Sequence, residues 1–232
     1  MGTSKLTNWQ IKSTVEEVAL AARDIILDAA YKAIHARGMF KIVLAGGTTP
    51  EQIYKLLAKE PCHWEKWRLY LGDERCLPIS NSERNSHMIQ HTLLDKIDFP
   101  QKNIHFIPAE LGAKEAAIEY EQMIHPALPF DLVILGMGED GHTASLFPEH
   151  QHDSNELVHA ISNAPKPPSD RVSISVASLS QTRTLLRIIT GASKSASIAL
   201  WKKGENLPIS RITSIGDDIV LLDKAATANL TN

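Results

Sequence analysis

Short apolar runs that do not alternate, each ending in glycine and followed by a helical segment, constrain this chain more than any other feature. Residues 40–45 lead into Gly46-Gly47, and residues 130–135 (Phe-Asp-Leu-Val-Ile-Leu) lead into Gly136. A strand with one wet face alternates apolar and polar residues. A run that is apolar almost throughout belongs in a parallel sheet covered on both faces. Residues 14–36 place Val15, Val18, Ala19, Ala22, Ile25, Ile26, Ala29 and Ala33 at helical spacing, with Thr14 as N-cap and Gly38 as stop signal. Pro50 suits the first turn of a second helix reaching about residue 58.

The pattern predicts further strands at 68–71, 104–107, 172–176, 184–190 and 218–222, and helices over 82–96, 113–124 and 192–201, with a short terminal helix. Residues 148–170 change character. His150, His152 and His159 are followed by Pro165, Pro167 and Pro168, which reads as an excursion across the surface. The repeated strand–helix order implies one α/β domain over residues 1–232, a Rossmann-like doubly wound, mostly parallel sheet with helices on both faces. Ligands of such sheets sit beyond the carboxyl ends of the strands.

Charge narrows the partners. With 24 Lys+Arg against 27 Asp+Glu, the net charge of −3 offers no basic field for nucleic acid. A small anion needs only one or two cations and aimed N–H groups, so it stays open. No apolar run approaches the roughly 20 residues that span a bilayer, the first residues lack a signal-peptide layout, and Cys62 and Cys76 form no CxxC pair. A cytoplasmic protein with no membrane partner is expected.

Four stretches carry candidate chemistry. Gly46-Gly47-Thr48-Thr49-Pro50 joins strand to helix, where glycine backbone, two hydroxyls and free helix N–H groups suit a phosphate. No Gly-Lys-Ser/Thr follows, so this is not a nucleoside-triphosphate loop. The plain alternative is a tight turn capped by threonine. Gly136-Met137-Gly138-Glu139-Asp140-Gly141 satisfies the dinucleotide pattern formally, but Glu139 and Asp140 would repel a pyrophosphate. Read instead as Asp140-Gly141-His142, it presents an imidazole that titrates near neutrality beside a carboxylate able to orient it. The competing reading is a loop histidine bonded to a neighbour.

Leu71-Gly72-Asp73-Glu74-Arg75 ends a strand in charges, with Arg75 either forked onto an anion or in a surface ion pair. Lys194 falls in the first turn after Thr190-Gly191, where a cation opposes the helix dipole unless an anion lies between. Arg171 beside the proline-rich stretch is a further candidate. His87, His91, His150, His152 and His159 match no metal-binding spacing, so no metal is expected.

Together GGTTPEQIYKLL at 46–57, GDERCLP at 72–78, FDLVILGMGEDGHTASLFP at 130–148 and TGASKSASI at 190–198 resemble the 6-phosphogluconolactonase family, in order across about residues 40–225. The related glucosamine-6-phosphate deaminases usually carry tyrosine where Arg75 stands and Ala-Phe-Asn-Glu-Pro where Thr143 to Pro148 stand, which separates the two. The resemblance implies a Rossmann-like fold without dinucleotide and hydrolysis of 6-phospho-D-glucono-1,5-lactone, a step of the oxidative pentose phosphate pathway. It implies His142 as general base supported by Asp140. Gly46, Gly47, Thr48, Thr49, Arg171 and Lys194 would hold the phosphate, and Arg75 phosphate or ring oxygens. Loop N–H groups near Gly138 to Gly141 are candidate oxyanion donors, with none of them assigned from the sequence. Ester hydrolysis needs no cofactor. The alternatives are amino-sugar phosphate deamination, a non-catalytic sugar-phosphate sensor, or a scaffold with a dead site.

Departures from the family pattern are Thr48 in place of the commoner serine, Ile79 to His87 as a variant of the usual Ser-Asn segment, and Ile219 to Asp223 without the usual tryptophan.

Overall fold

The structure is a computed structural model that describes residues 7–150, 153 and 155–230. Seven strands form one parallel sheet in the spatial order β1 (Asn8–Lys12), β10 (Asp217–Asp223), β9 (Thr182–Ile189), β6 (Phe130–Leu135), β2 (Phe40–Leu44), β3 (Trp67–Leu71) and β5 (Ile104–His105). All six residues of β6 are buried. Successive side chains of a strand point to opposite faces, so both faces of the sheet are covered there. Asp131 is the polar member of that run. Its carboxylate accepts from Arg37 at 2.7 Å and from the Lys41 N–H at 2.8 Å, which balances its burial.

The helices are α1 (Val15–Arg37), α2 (Thr48–Leu57), α3 (Asn85–Thr92), α4 (Ala113–Ile124), α5 (Val176–Ser180), α6 (Ser195–Lys202) and α7 (Pro208–Arg211). The Thr14 hydroxyl accepts from the Glu17 N–H at 3.2 Å, and Gly38 closes α1 at φ 77°. Val18, Ala22, Ile26 and Ala33 form its buried stripe against the sheet.

From β2 the chain builds outward through β3 and β5, then returns to place β6 on the other side of β2. This reversal opens a crevice beyond the carboxyl ends of β2 and β6, where Gly46-Gly47 and Gly136 emerge.

A second sheet departs from the sequence expectation. β4 (Asp73–Arg75), β8 (Arg171–Ile174) and β7 (Val158–Ile161) pair antiparallel, separate from the main sheet. The strand expected at 172–176 lies here, and the 148–170 excursion contains β7. Three residues of β4 are too few for a periodicity to show, and their pairing is with residues nearly a hundred positions away. β1, unforeseen, occupies an edge of the main sheet. The helix expected over 82–96 is shortened to α3 plus a 3-10 turn at Leu94–Lys96, and the terminal helix is a 3-10 turn at Ala225–Thr227. His152 lies outside the described residues.

Candidate active site

A cavity of about 270 Å³ lies over the carboxyl ends of β2, β3, β6 and β9. Its lining includes Gly46, Gly47, Thr48, Thr49, Arg75, His142, Arg171 and Lys194, so eight of the nine expected site residues meet at one wall-to-wall space. The ninth, Asp140, stands behind His142 and is bonded to it.

The loop after β6 is built to hold the imidazole. Thr143 donates its hydroxyl to the Gly136 carbonyl at 2.7 Å, and the Gly138 N–H donates to the His142 carbonyl at 2.7 Å. This folds the chain so tightly that a Cβ on Gly138 would lie 2.0 Å from His142 Nδ1. Gly141 turns at φ 82°, a conformation that favours glycine. His142 Nδ1 lies 2.5 Å from Asp140 Oδ1, and its backbone N–H donates to the same oxygen at 3.2 Å.

An ionised carboxylate only accepts, so Nδ1 carries the proton and Nε2 keeps its lone pair. Burial pushes the His142 pKa below its ordinary value, and the Asp140 carboxylate offsets this only in part. Burial also acts to raise Asp140, but its hydrogen bonds with His142 and the electrostatic attraction between carboxylate and imidazole hold it below the usual carboxylate range. The dyad therefore rests as neutral imidazole and carboxylate at neutral pH. That is a base ready to take a proton. Phe147, buried, packs on the imidazole with ring centroids 4.8 Å apart.

The opposite wall is suited to an anion. Gly47 precedes α2 at φ 108° and brings no side chain to cap it, which leaves the first-turn N–H groups of Thr48 and Thr49 without the usual side-chain acceptor. The Thr49 hydroxyl lies 2.7 Å from that of Thr190, tying α2 to the end of β9. In β4 and β8, Arg75 and Arg171 are directly opposed. Like charges so placed repel unless anions intervene. Arg75 Nε is buried with no hydrogen-bond partner, and Lys194 forms no ion pair among the described residues. Burial lowers the Lys194 pKa, with the Glu139 carboxylate opposing.

Arg75 does not pair with Glu74 on the surface. It donates to the Glu83 carbonyl, while Glu74 is fully buried and accepts N–H bonds from Arg75, Asn85 and Ser86, each at 2.8 Å. Alternation along β4 sends Asp73 and Arg75 to one face and Glu74 to the other.

Two of the candidate oxyanion donors are already engaged. The Gly138 and Gly141 N–H groups are already bonded, to the carbonyls of His142 and Gly138. The residues that motif reading passed over are Asp73 and Asn85. Both line the cavity, with Asn85 Nδ2 donating to the Asp73 carbonyl at 3.0 Å and the Ser145 hydroxyl donating to Asp73 Oδ2 at 2.7 Å. Burial raises the Asp73 pKa despite Ser145 and the neighbouring arginines. Asp73 was visible inside GDERCLP; Asn85 carried no local signal. Among the described residues, no group of three or more His, Cys, Asp or Glu side chains is arranged to hold a metal ion.

The sequence profile of the glucosamine-6-phosphate isomerases/6-phosphogluconolactonase family matches residues 13–221. The chain belongs to this family. It is 33% identical over 242 residues to the 6-phosphogluconolactonase of Nostoc sp., covering 95% of this chain and all of that one. It is 34% identical over 214 residues to that of Synechocystis sp., covering 86% and 88%. The crystal structure of 6-phosphogluconolactonase from Thermotoga maritima superposes with a TM-score of 0.89 at 27% identity, covering 94% of this chain and 100% of that one. A monomeric glucosamine-6-phosphate deaminase shares the fold, with a TM-score of 0.84 at 19% identity over 96% of this chain and 100% of that one. No helix among the described residues is long and apolar enough to cross a membrane.

Proposed function

We propose that this protein hydrolyses 6-phospho-D-glucono-1,5-lactone to 6-phospho-D-gluconate in the oxidative pentose phosphate pathway, as a single-domain cytoplasmic enzyme. The observation that carries this reading is the pairing, within one cavity, of an Asp140-oriented neutral imidazole with a cationic wall at the start of α2.

The phosphate binds to the Gly46-Gly47-Thr48-Thr49 turn, Arg171 and Lys194, and Arg75 steadies phosphate or ring oxygens. Binding at this remote group holds the lactone carbonyl near His142 and recovers orientation entropy. His142 Nε2 takes a proton from water as the water oxygen bonds to C1. Asp140 supports the imidazolium that forms. When the tetrahedral centre collapses, the bond from C1 to the ring oxygen breaks. The proton returns from His142 to that oxygen, leaving the open-chain acid.

The test is a coupled assay in which glucose-6-phosphate dehydrogenase generates fresh lactone and its disappearance is followed against spontaneous hydrolysis. His142→Ala lowers kcat strongly with little change in KM, whereas Lys194→Ala mainly raises KM. Near-wild-type turnover by the His142 variant would remove the base assignment. Glucosamine 6-phosphate serves as the control substrate, and ammonia release from it would overturn the lactonase reading.

A further inference from the structure

The proline-rich stretch between β7 and β8 is not a free surface loop. Arg171, which lines the cavity, donates from Nη2 to the carbonyls of Lys166 and Pro167 at 3.1 and 3.0 Å, and from Nε to that of Pro168 at 3.1 Å. The Ala164 N–H donates to the Ser169 carbonyl at 2.9 Å and closes the stretch into a strap. At its other end the Asp170 carbonyl accepts from the Cys76 N–H at 3.0 Å, one residue beyond β4. Residues 164–170 are thus closed on themselves, and they are tied to β8 through Arg171 and to the residue after β4 through Asp170. The side chain at the tip of this strap is Lys166, which is exposed and stands outside the cavity lining.

We infer that Lys166 is a further cation of the substrate site, carried by the Arg171-anchored strap to the cavity rim, where it contacts the phosphate of the bound sugar. This rests on the functional reading above. Three observations support it. Arg171 uses its guanidinium to fix the backbone carbonyls of Lys166 and the two residues after it, so the lysine's root is held against a cavity residue. Lys166 forms no ion pair among the described residues. Its charge also acts on both Lys194 and His142, disfavouring the protonated form of each, so the ammonium lies near both.

Two unpaired lysines facing one rim repel one another. A dianion bound between them turns that repulsion into attraction. The strap also explains why Arg171 is nearly buried. It fixes the strap with Nε and Nη2 while lining the cavity.

The test compares Lys166→Ala, Lys166→Arg and Lys166→Glu with wild type in the coupled lactone assay. Calorimetric titration with 6-phosphogluconate, gluconate and inorganic phosphate runs in parallel. Lys32→Ala is the charge control, because Lys32 pairs with Asp28 and lies near Asp217, which begins β10 at the other end of the sheet.

The alanine variant should raise KM and weaken 6-phosphogluconate binding by about tenfold, as expected for one charge-assisted contact. Gluconate binding should not change, arginine should restore most of the loss, and glutamate should deepen it. Unchanged affinity for 6-phosphogluconate and phosphate in an active Lys166→Ala enzyme would overturn the inference. So would a fall in kcat with unchanged 6-phosphogluconate affinity, which would place the lysine at the reacting end. A wild-type protein that hydrolyses no lactone, yet loses phosphate affinity in Lys166→Ala, would keep the cation site and sink the lactonase reading alone.

Discussion

Gly138→Ala tests whether the His142 imidazole works from the place it holds beside Asp140, because it changes the space beside His142 and almost nothing else. Gly138 is not among the positive-φ glycines, so alanine is compatible with the backbone there. The added Cβ would lie 2.0 Å from both Cε1 and Nδ1 of His142 and 2.7 Å from Asp140 Oδ1, where ordinary contact begins at 3.4 Å. The ring must retreat by the difference, about 1.4 Å, or rotate away, and either movement breaks the 2.5 Å contact between Nδ1 and Asp140.

A misplacement of roughly 1 Å costs about 100-fold in a positioned reaction, and a general base contributes about 10²–10⁴ in all. The variant should therefore lose at least about 100-fold in kcat. KM should change little, because the phosphate wall is untouched. Stability should hold within about 1 kcal/mol, since swinging one ring is cheap and alanine reduces the freedom of the unfolded chain. The coupled lactone assay gives kcat and KM, and a thermal melt by circular dichroism gives stability. A folded Gly138→Ala enzyme with kcat within about threefold of wild type would refute the argument, since it would mean that the ring does not work from the position described.

Asp140→Asn removes the charge that holds the His142 pKa up against burial, so the acid limb of kcat/KM, already below the ordinary histidine value of 6.5, should move to still lower pH. A limb that moves upward would contradict the sign, and kcat itself should fall by about 10-fold or more for lack of imidazolium stabilisation. Glu74→Ala leaves three backbone N–H groups and the Arg84 guanidinium without their buried acceptor and should cost about 3–5 kcal/mol in urea unfolding. A loss below about 1 kcal/mol would mean that solvent reaches this site. Gly47→Ala meets Pro50 Cδ at an ordinary 3.8 Å but must adopt φ 108°, so it should destabilise by about 1–3 kcal/mol and raise KM. Unchanged KM would separate the turn from the phosphate.

Much of this site was legible in linear order, and the reason is geometric. In a parallel sheet every strand delivers its following loop to the same edge, so the turns after β2, β3, β6 and β9 had to converge once those strands were recognised. Gly46-Gly47, Arg75, His142 and Lys194 could be grouped without coordinates on that ground. Their chemistry is local as well, since Asp140 and His142 are two residues apart and the helix that follows Gly47 exposes its N–H groups whatever lies opposite.

What stayed hidden depends on contacts between distant segments. The pairing of β4 with β8 sets Arg75 against Arg171 across nearly a hundred residues, and three residues of strand carry no periodic signal. Glu74 looked like part of a charged surface turn. It is instead the buried cap that fixes Asn85 and Ser86, because only the packed structure supplies three N–H donors to offset its desolvation. The strap over residues 164–170 reads in sequence as a proline-rich excursion, and only the fold shows that Arg171 donates to three of its carbonyls. Local pattern thus indicated the central parallel strands, the edge where their loops meet and His142 beside Asp140. Tertiary packing decided which charges are buried as supports and which are left facing the cavity, because burial and long-range pairing are properties of the folded whole.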